Sequence, residues 1–125
     1  MTALDASALL AFLFREAGCD RAAAEIDGSC MTTVNLCEVL GRFARDGHAA
    51  PLVLARLGAL GIEWVPFDES LAALAAGLVP ATRRLGLSLG DRACLALGMS
   101  RGVPVVTTDA NWGTLDVGVE IRCVR

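Results

Sequence analysis

The chain has 125 residues, 54% hydrophobic and 20% charged, a length suited to one domain and a composition that excludes intrinsic disorder and low-complexity tails. A domain of this size buries roughly two-thirds of its unfolded surface, enough to fold without disulfides or a structural metal. The formal net charge is −3, from 11 basic and 14 acidic residues, which argues against a simple polycationic nucleic-acid binder. All the basic residues are arginine, however, and arginine suits bidentate contact with phosphate or carboxylate.

In chain order, residues 2 to 6 (TALDA) read as a short strand, with Ser7 as a helix cap before the apolar run ALLAFLF. Gly18 breaks that helix, and Asp20 to Ile26 forms a second before Gly28. Cys30 to Thr32 reads as a brief buried strand, because a strong helix start follows it. From Thr33 to Asp46 the apolar positions Val34, Leu36, Cys37, Val39, Leu40 and Phe43 recur at three and four, an amphipathic helix that ends at Gly47. Pro51 can open the next helix, to Leu60. Ile62 to Phe67 is β-rich, and Asp68 with Ser70 caps a helix over Leu71 to Leu85 that Pro80 should kink or split. Ser88 opens a last helix, Leu89 to Ser100, followed by the buried strand Pro104 to Thr108 and a final strand, Val119 to Val124. Strands alternating with helices predict an α/β fold of three layers, a mostly parallel central sheet with helices on both faces, in a single domain over residues 1–125.

No apolar run reaches the ~18 residues needed to cross a membrane. The N-terminal stretch lacks a basic region and carries Asp5 where an apolar core would have to be, so no secretory signal and a cytoplasmic location are expected. The five cysteines are widely spaced, form no C-x-x-C pair and have only His48 as an imidazole partner. They are expected to be buried reduced thiols rather than disulfides or zinc ligands.

In an open parallel sheet, ligands sit beyond the carboxyl ends of the strands, where the strand order reverses. Asp5 closes the first expected strand and Asp109 the Pro104 to Thr108 strand, and right-handed crossovers can bring these two ends together. Asp91, in the first turn of the helix leading into that second strand, and Glu38, one turn into the 33–46 helix, are two more acids at element ends. Each has a bland alternative. Ser88 with Asp91, and Asn35 with Glu38, both look like capping boxes, and Asp5 and Asp109 can cap the turns after their strands. Taken together, four acids beside apolar segments are harder to dismiss, because buried carboxylates are rare unless paired.

Four stretches carry a family resemblance: LDASALL (Leu4 to Leu10), TTVNLCEVL (Thr32 to Leu40), LSLGDRACLAL (Leu87 to Leu97) and VVTTDANW (Val105 to Trp112). In order and over nearly the whole chain they resemble the motifs of the PIN-domain ribonucleases, and within that group the VapC toxins of bacterial toxin–antitoxin pairs. The resemblance implies an endoribonuclease dependent on Mg²⁺ or Mn²⁺, with its acidic quartet on Asp5, Glu38, Asp91 and Asp109. Asp5, Asp91 and Asp109 would then be metal ligands and Glu38 the orienter of water or the base, with Ser7 and Thr108 as supporting hydroxyls. Apart from the resemblance, Arg92 beside Asp91 is a candidate phosphate contact, although a solvated helix-face charge is the plainer reading for it, as for Arg83 and Arg84. The resemblance also implies an RNA substrate, a homodimer and a VapB-like antitoxin partner, with the second helix and the 49–60 helix as candidate contact surfaces. Two departures are visible: an acidic overall charge, and Pro80 inside a helix that family members usually keep continuous.

Hard cations take oxygen ligands and keep several waters, so a few carboxylates on a rigid rim suffice. Without the ion, each like-charged pair ~5 Å apart costs about 3 kcal/mol at an effective dielectric of ~20. Aspartate-phosphorylating hydrolases and phospho-receiver modules are disfavoured, since no lysine is present and Asp5-Ala-Ser7 lacks a second aspartate. A non-catalytic PIN-like interaction module is the remaining rival. His48, Trp64, Trp112, Asp68 and Asp116 are expected in structural roles.

Overall fold

Five short strands carry the sheet: β1 (Ala3–Leu4), β2 (Cys30–Thr32), β3 (Glu63–Val65), β4 (Val105–Thr107) and β5 (Ile121–Cys123). All four pairings are parallel, in the order β3-β2-β1-β4-β5. β1 and β4 are neighbours, with Ala3 opposite Val105 and Leu4 opposite Val106. The computed structural model describes residues 1–125.

Side-chain alternation along the strands sorts two cores. Leu4, Met31 and Val106 point into a cluster with Leu9 of α1 (Ala6–Phe14), Ile26 of α2 (Cys19–Ile26) and Val39 of α3 (Thr33–Arg45). The preceding residues Ala3, Cys30 and Val105 point to the other face, into a cluster with Leu71 of α5 (Glu69–Gly77), Leu95 of α7 (Leu89–Arg101) and Trp112. Helices α1 to α3 therefore cover one face and α5 and α7 the other, the three-layer α/β arrangement expected from the alternation of elements. α4 (Ala50–Leu57), with its 3-10 turn to Leu60, joins the first group through the buried Leu57, and the short α6 (Val79–Thr82) follows α5 in the chain.

Pro80 does split its helix. α5 ends at Gly77, and Pro80 falls in the first positions of α6, where its missing N–H is not needed. Two local expectations fail for geometric reasons. Ser7 does not cap α1: the cap position is Asp5, in extended backbone, and no side chain bonds the helix end. On α3, Cys37 is exposed while Asn35 is fully buried; the inward stripe runs through Asn35, Leu36 and Val39, and Cys37 lies one step off it. Cys30 and Cys94 are buried, Cys19 and Cys123 half-buried, and all five thiols are free.

Helix α7 lies close on the sheet because Gly98 has no side chain, and a Cβ there would overlap Val105 Cγ1. Val105 is fully buried and branched, with no room to yield. Gly98→Ala is expected to destabilise the fold by about 1–3 kcal/mol, read as a lower urea midpoint at unchanged m-value. No helix is long and apolar enough to cross a membrane.

Candidate active site

Because every strand runs the same way, all the strand carboxyl ends share one edge of the sheet. β1 delivers Asp5 there, β4 delivers Thr108 and Asp109, and β2 leads directly into the first turns of α3. Helix α7 returns to β4 antiparallel to the strands, so its N-terminus, with Asp91, starts from the same edge.

Asp5 is the best-anchored acid, only 5% exposed. Its Oδ2 accepts hydrogen bonds from the Ser7 hydroxyl (2.7 Å) and the Thr107 hydroxyl (3.0 Å). Those hydroxyls are fixed in turn: Ser7 Oγ accepts from the Thr108 amide (3.1 Å) and Thr107 Oγ1 from the Asp109 amide (3.1 Å). The hydroxyl expected from Thr108 is thus supplied by Thr107, and Thr108 contributes its backbone N–H. Thr107 is fully buried at the end of β4, and strand alternation turns its neighbour Thr108 away. Burial, then the charges of Asp91 and Glu38, push Asp5 up from an ordinary 3.8 to about 6, against the opposing pull of the two hydroxyls. The carboxyl is nearly sealed and no cation pairs with it.

Glu38 belongs to the same electrostatic group. Partial burial of its carboxyl raises its pKa first and the charge of Asp91 adds to that, while a hydrogen bond from Asn35 pulls it down. It does not cap α3. The cap is Thr32, whose Oγ1 accepts from the Asn35 amide (3.1 Å), and Glu38 Oε1 accepts instead from Asn35 Nδ2 (2.9 Å). Asn35 is the residue that sequence reasoning passed over, having read it as half of a capping box; an asparagine inside an apolar helix stripe was the available signal.

Asp91 does close a capping box, its Oδ2 accepting from the Ser88 amide (2.9 Å) while its own amide donates to Ser88 Oγ (3.2 Å). Ser88→Ala should cost about 1 kcal/mol of stability in urea unfolding. Asp109 likewise caps the 3-10 turn Ala110–Thr114, with Oδ1 accepting from the Asn111 amide (3.0 Å). Asp5 thus senses the charges of Asp91 and Glu38, and Glu38 that of Asp91, while Asp109 is tied to Asp5 only through its backbone amide, which donates to Thr107.

Each of the four acids has one carboxylate oxygen that accepts no hydrogen bond from the protein: Asp5 Oδ1, Glu38 Oε2, Asp91 Oδ1 and Asp109 Oδ2. No three His, Cys, Asp or Glu side chains are placed to grip one ion together. A zinc cage needs such a set, whereas Mg²⁺ is held through one or two carboxylates and keeps several waters. A donor set of self-repelling, cation-free carboxylates with spare oxygens fits an ion of the second kind.

Arg92 is anchored at one end of its guanidinium, where Nη1 donates to the Ala75 carbonyl at the end of α5 (3.1 Å). Arg83 and Arg84, on the 3-10 turn before α7, are exposed and make no ion pair. Trp112 is packed in the core, Asp68 caps α5 through the Leu71 amide (3.0 Å), and His48 is exposed.

Among solved structures, the chain is similar to one in a toxin–antitoxin complex from Klebsiella pneumoniae (14% identical, TM-score 0.77, covering 100% of this chain and 98% of that one). It is also similar to a chain of DNA-bound VapBC from Salmonella typhimurium (18%, TM-score 0.70, 100% of both chains) and of FitAcB from Neisseria gonorrhoeae (19%, TM-score 0.70, 99% and 98%). No curated protein matches. At these identities the structural likenesses speak for the fold alone, but the PIN domain family itself matches residues 2–117. With that match spanning nearly the whole sequence, the chain belongs to the PIN domain family.

Proposed function

We propose that the chain is an endoribonuclease of the VapC type, dependent on Mg²⁺ or Mn²⁺ and held inactive by a VapB-like antitoxin. The observation that carries this reading is the buried, cation-free Asp5 carboxyl at the carboxyl edge of a PIN fold, raised by burial first and then by the charges of Asp91 and Glu38. Such a group is costly to maintain in a purely structural role, and it disfavours the rival reading of an inactive interaction module.

Asp5 and Asp91 would hold the ion, with Asp109 reaching it through water. When bound, a divalent ion supplies the positive charge that lets an acidic site accept a phosphodiester. Ser7 and Thr107 fix the Asp5 carboxylate so that its free oxygen faces the site. Glu38 would orient the attacking water and take its proton at Oε2 as the water oxygen bonds to phosphorus; the bond from phosphorus to the leaving ribose oxygen breaks, and that oxygen takes up a proton from solvent. Arg83 and Arg84, exposed and without ion pairs, would meet flanking phosphates together with the unbonded end of Arg92.

A groove of about 600 Å³, lined by Val34, Cys37, Phe67 and Leu89, opens beside Glu38. It continues along α3 into an apolar groove of about 350 Å³ past Leu36, Leu40 and Ala44. In this reading that path receives the antitoxin segment that covers the acids, and the toxin pairs as a homodimer in the cytoplasm.

The deciding experiment incubates purified, antitoxin-free protein with total cellular RNA in EDTA, Mg²⁺ or Mn²⁺. Cleavage should appear with the divalent ion, disappear in EDTA and be lost in Asp91→Asn, whose amide oxygen still closes the capping box. Equal cleavage by Asp91→Asn, or none by wild type with either ion, overturns the assignment.

A further inference from the structure

We propose that Asn35 is a positioning residue for Glu38, and that its buried carboxamide acts with the bare backbone of Gly90 to hold the Glu38 carboxylate against the first turn of α7. The proposal deepens the nuclease reading and rests on it.

The orientation of the Asn35 amide is forced by its neighbours. The Thr32 hydroxyl accepts from the Asn35 backbone N–H (3.1 Å) and donates to Asn35 Oδ1 (2.6 Å). The Nδ2 group therefore faces two acceptors, Glu38 Oε1 (2.9 Å) and the Gly90 carbonyl (2.9 Å), and gives one N–H to each. A flipped amide would set its oxygen against both. Asn35 is fully buried, so every polar atom of its side chain is spent on this bridge.

Gly90 completes the clamp by absence. It sits in the first turn of α7, and its φ is not among the chain's positive values, so the backbone does not require glycine. What requires it is space: a Cβ at this position would overlap both Glu38 carboxylate oxygens. A glutamate on a helix surface ordinarily samples many rotamers. Here one oxygen is tied to a buried donor and both lie on the Gly90 backbone, one residue from Asp91. Only Asn, with two donors and one acceptor on a short stem, makes all three bonds, and that explains a polar residue in the apolar stripe of α3.

The test is a pair of double-mutant cycles on the full chain: Gly90→Ala and Asn35→Ser, each with and without Glu38→Ala. The readouts are kcat and KM for Mn²⁺-supported RNA cleavage, and the melting temperature of the metal-free protein. Because the colliding atoms at Gly90 are the end of a flexible side chain, Gly90→Ala should fold, with kcat down about 10- to 100-fold and KM little changed. In the Glu38→Ala background the same substitution should cost nothing further in kcat, and its melting penalty should vanish; Asn35→Ser should likewise lose its effect on kcat there. Multiplicative losses in the double variants, or wild-type kcat in Gly90→Ala, overturn the proposal. Wild-type protein that cleaves no RNA with Mn²⁺ overturns the nuclease reading and any role for Asn35 in catalysis with it. The melting cycles fail on separate grounds, through additivity between positions 38 and 90.

Discussion

Asp5→Asn is expected to abolish RNA cleavage and, in the same protein, to raise the stability of the metal-free fold. The two effects share one cause. Asp5 is 5% exposed, and burial with the neighbouring charges lifts its pKa from 3.8 to about 6. Ionised at neutral pH, it therefore costs the fold about 3 kcal/mol relative to an exposed aspartate. The amide keeps an oxygen to accept from Ser7 and Thr107, removes the charge, and places an N–H₂ group in the field of Glu38 and Asp91. A gain of about 1–3 kcal/mol in urea unfolding with EDTA present is expected, with cleavage lower by at least about 100-fold. Saturating Mn²⁺ should raise the melting temperature of wild type and leave that of Asp5→Asn nearly unchanged. Equal or lower stability of Asp5→Asn in EDTA would mean that the carboxylate supports the fold, and the metal-site reading would lose its main support.

The same economy explains how much of the molecule was legible in the sequence. Element order, the parallel sheet and the break at Pro80 follow from periodicity and backbone chemistry, which act locally. The neighbourhood of β1 and β4 follows from topology, which constrains where the ends of consecutive elements go. Legibility stops at side-chain direction. Whether Thr107 or Thr108 meets Asp5 depends on which strand residue faces the acid, and a three-residue strand with apolar neighbours on both faces gives no pattern to decide it. Cys37 and Asn35 exchanged their expected burial for a related reason: the helical stripe of α3 is set by what the helix packs against, and a cross-helix bond to the Gly90 carbonyl outweighs hydropathy. The acceptor that anchors Arg92, the Ala75 carbonyl, lies on another helix and leaves no mark in the local pattern. Asp91 and Asp109 are both helix-end caps and acids at the carboxyl edge of the sheet; local spacing registers the first role, and the order of strands and helices the second.

The pH dependence should separate the fold from the site. Asp5 has a folded pKa of about 6 against 3.8 unfolded, so its contribution to stability is complete below pH 3.8 and is lost as pH rises through 6. Cleavage needs the ionised carboxylate and should move the opposite way. With limiting Mn²⁺, the rate is expected to rise about tenfold per pH unit up to a midpoint near 6 and then level off. Glu38 is also raised, by partial burial and by the charge of Asp91, so its protonation steepens the acid limb in the same direction. A bound ion favours the ionised acids, and tenfold more Mn²⁺ should therefore move the midpoint to lower pH by up to about one unit. Metal-free wild type should meanwhile become more stable as pH falls from 7 towards 5, a trend that Asp5→Asn should show only weakly, with Glu38 left to drive it. Initial rates between pH 5 and 8 at two Mn²⁺ concentrations, with urea midpoints in EDTA over the same range, measure both limbs. An activity profile flat from pH 5 to 7 at limiting metal would show that Asp5 is ionised throughout, and that neither burial nor its acidic neighbours govern the site.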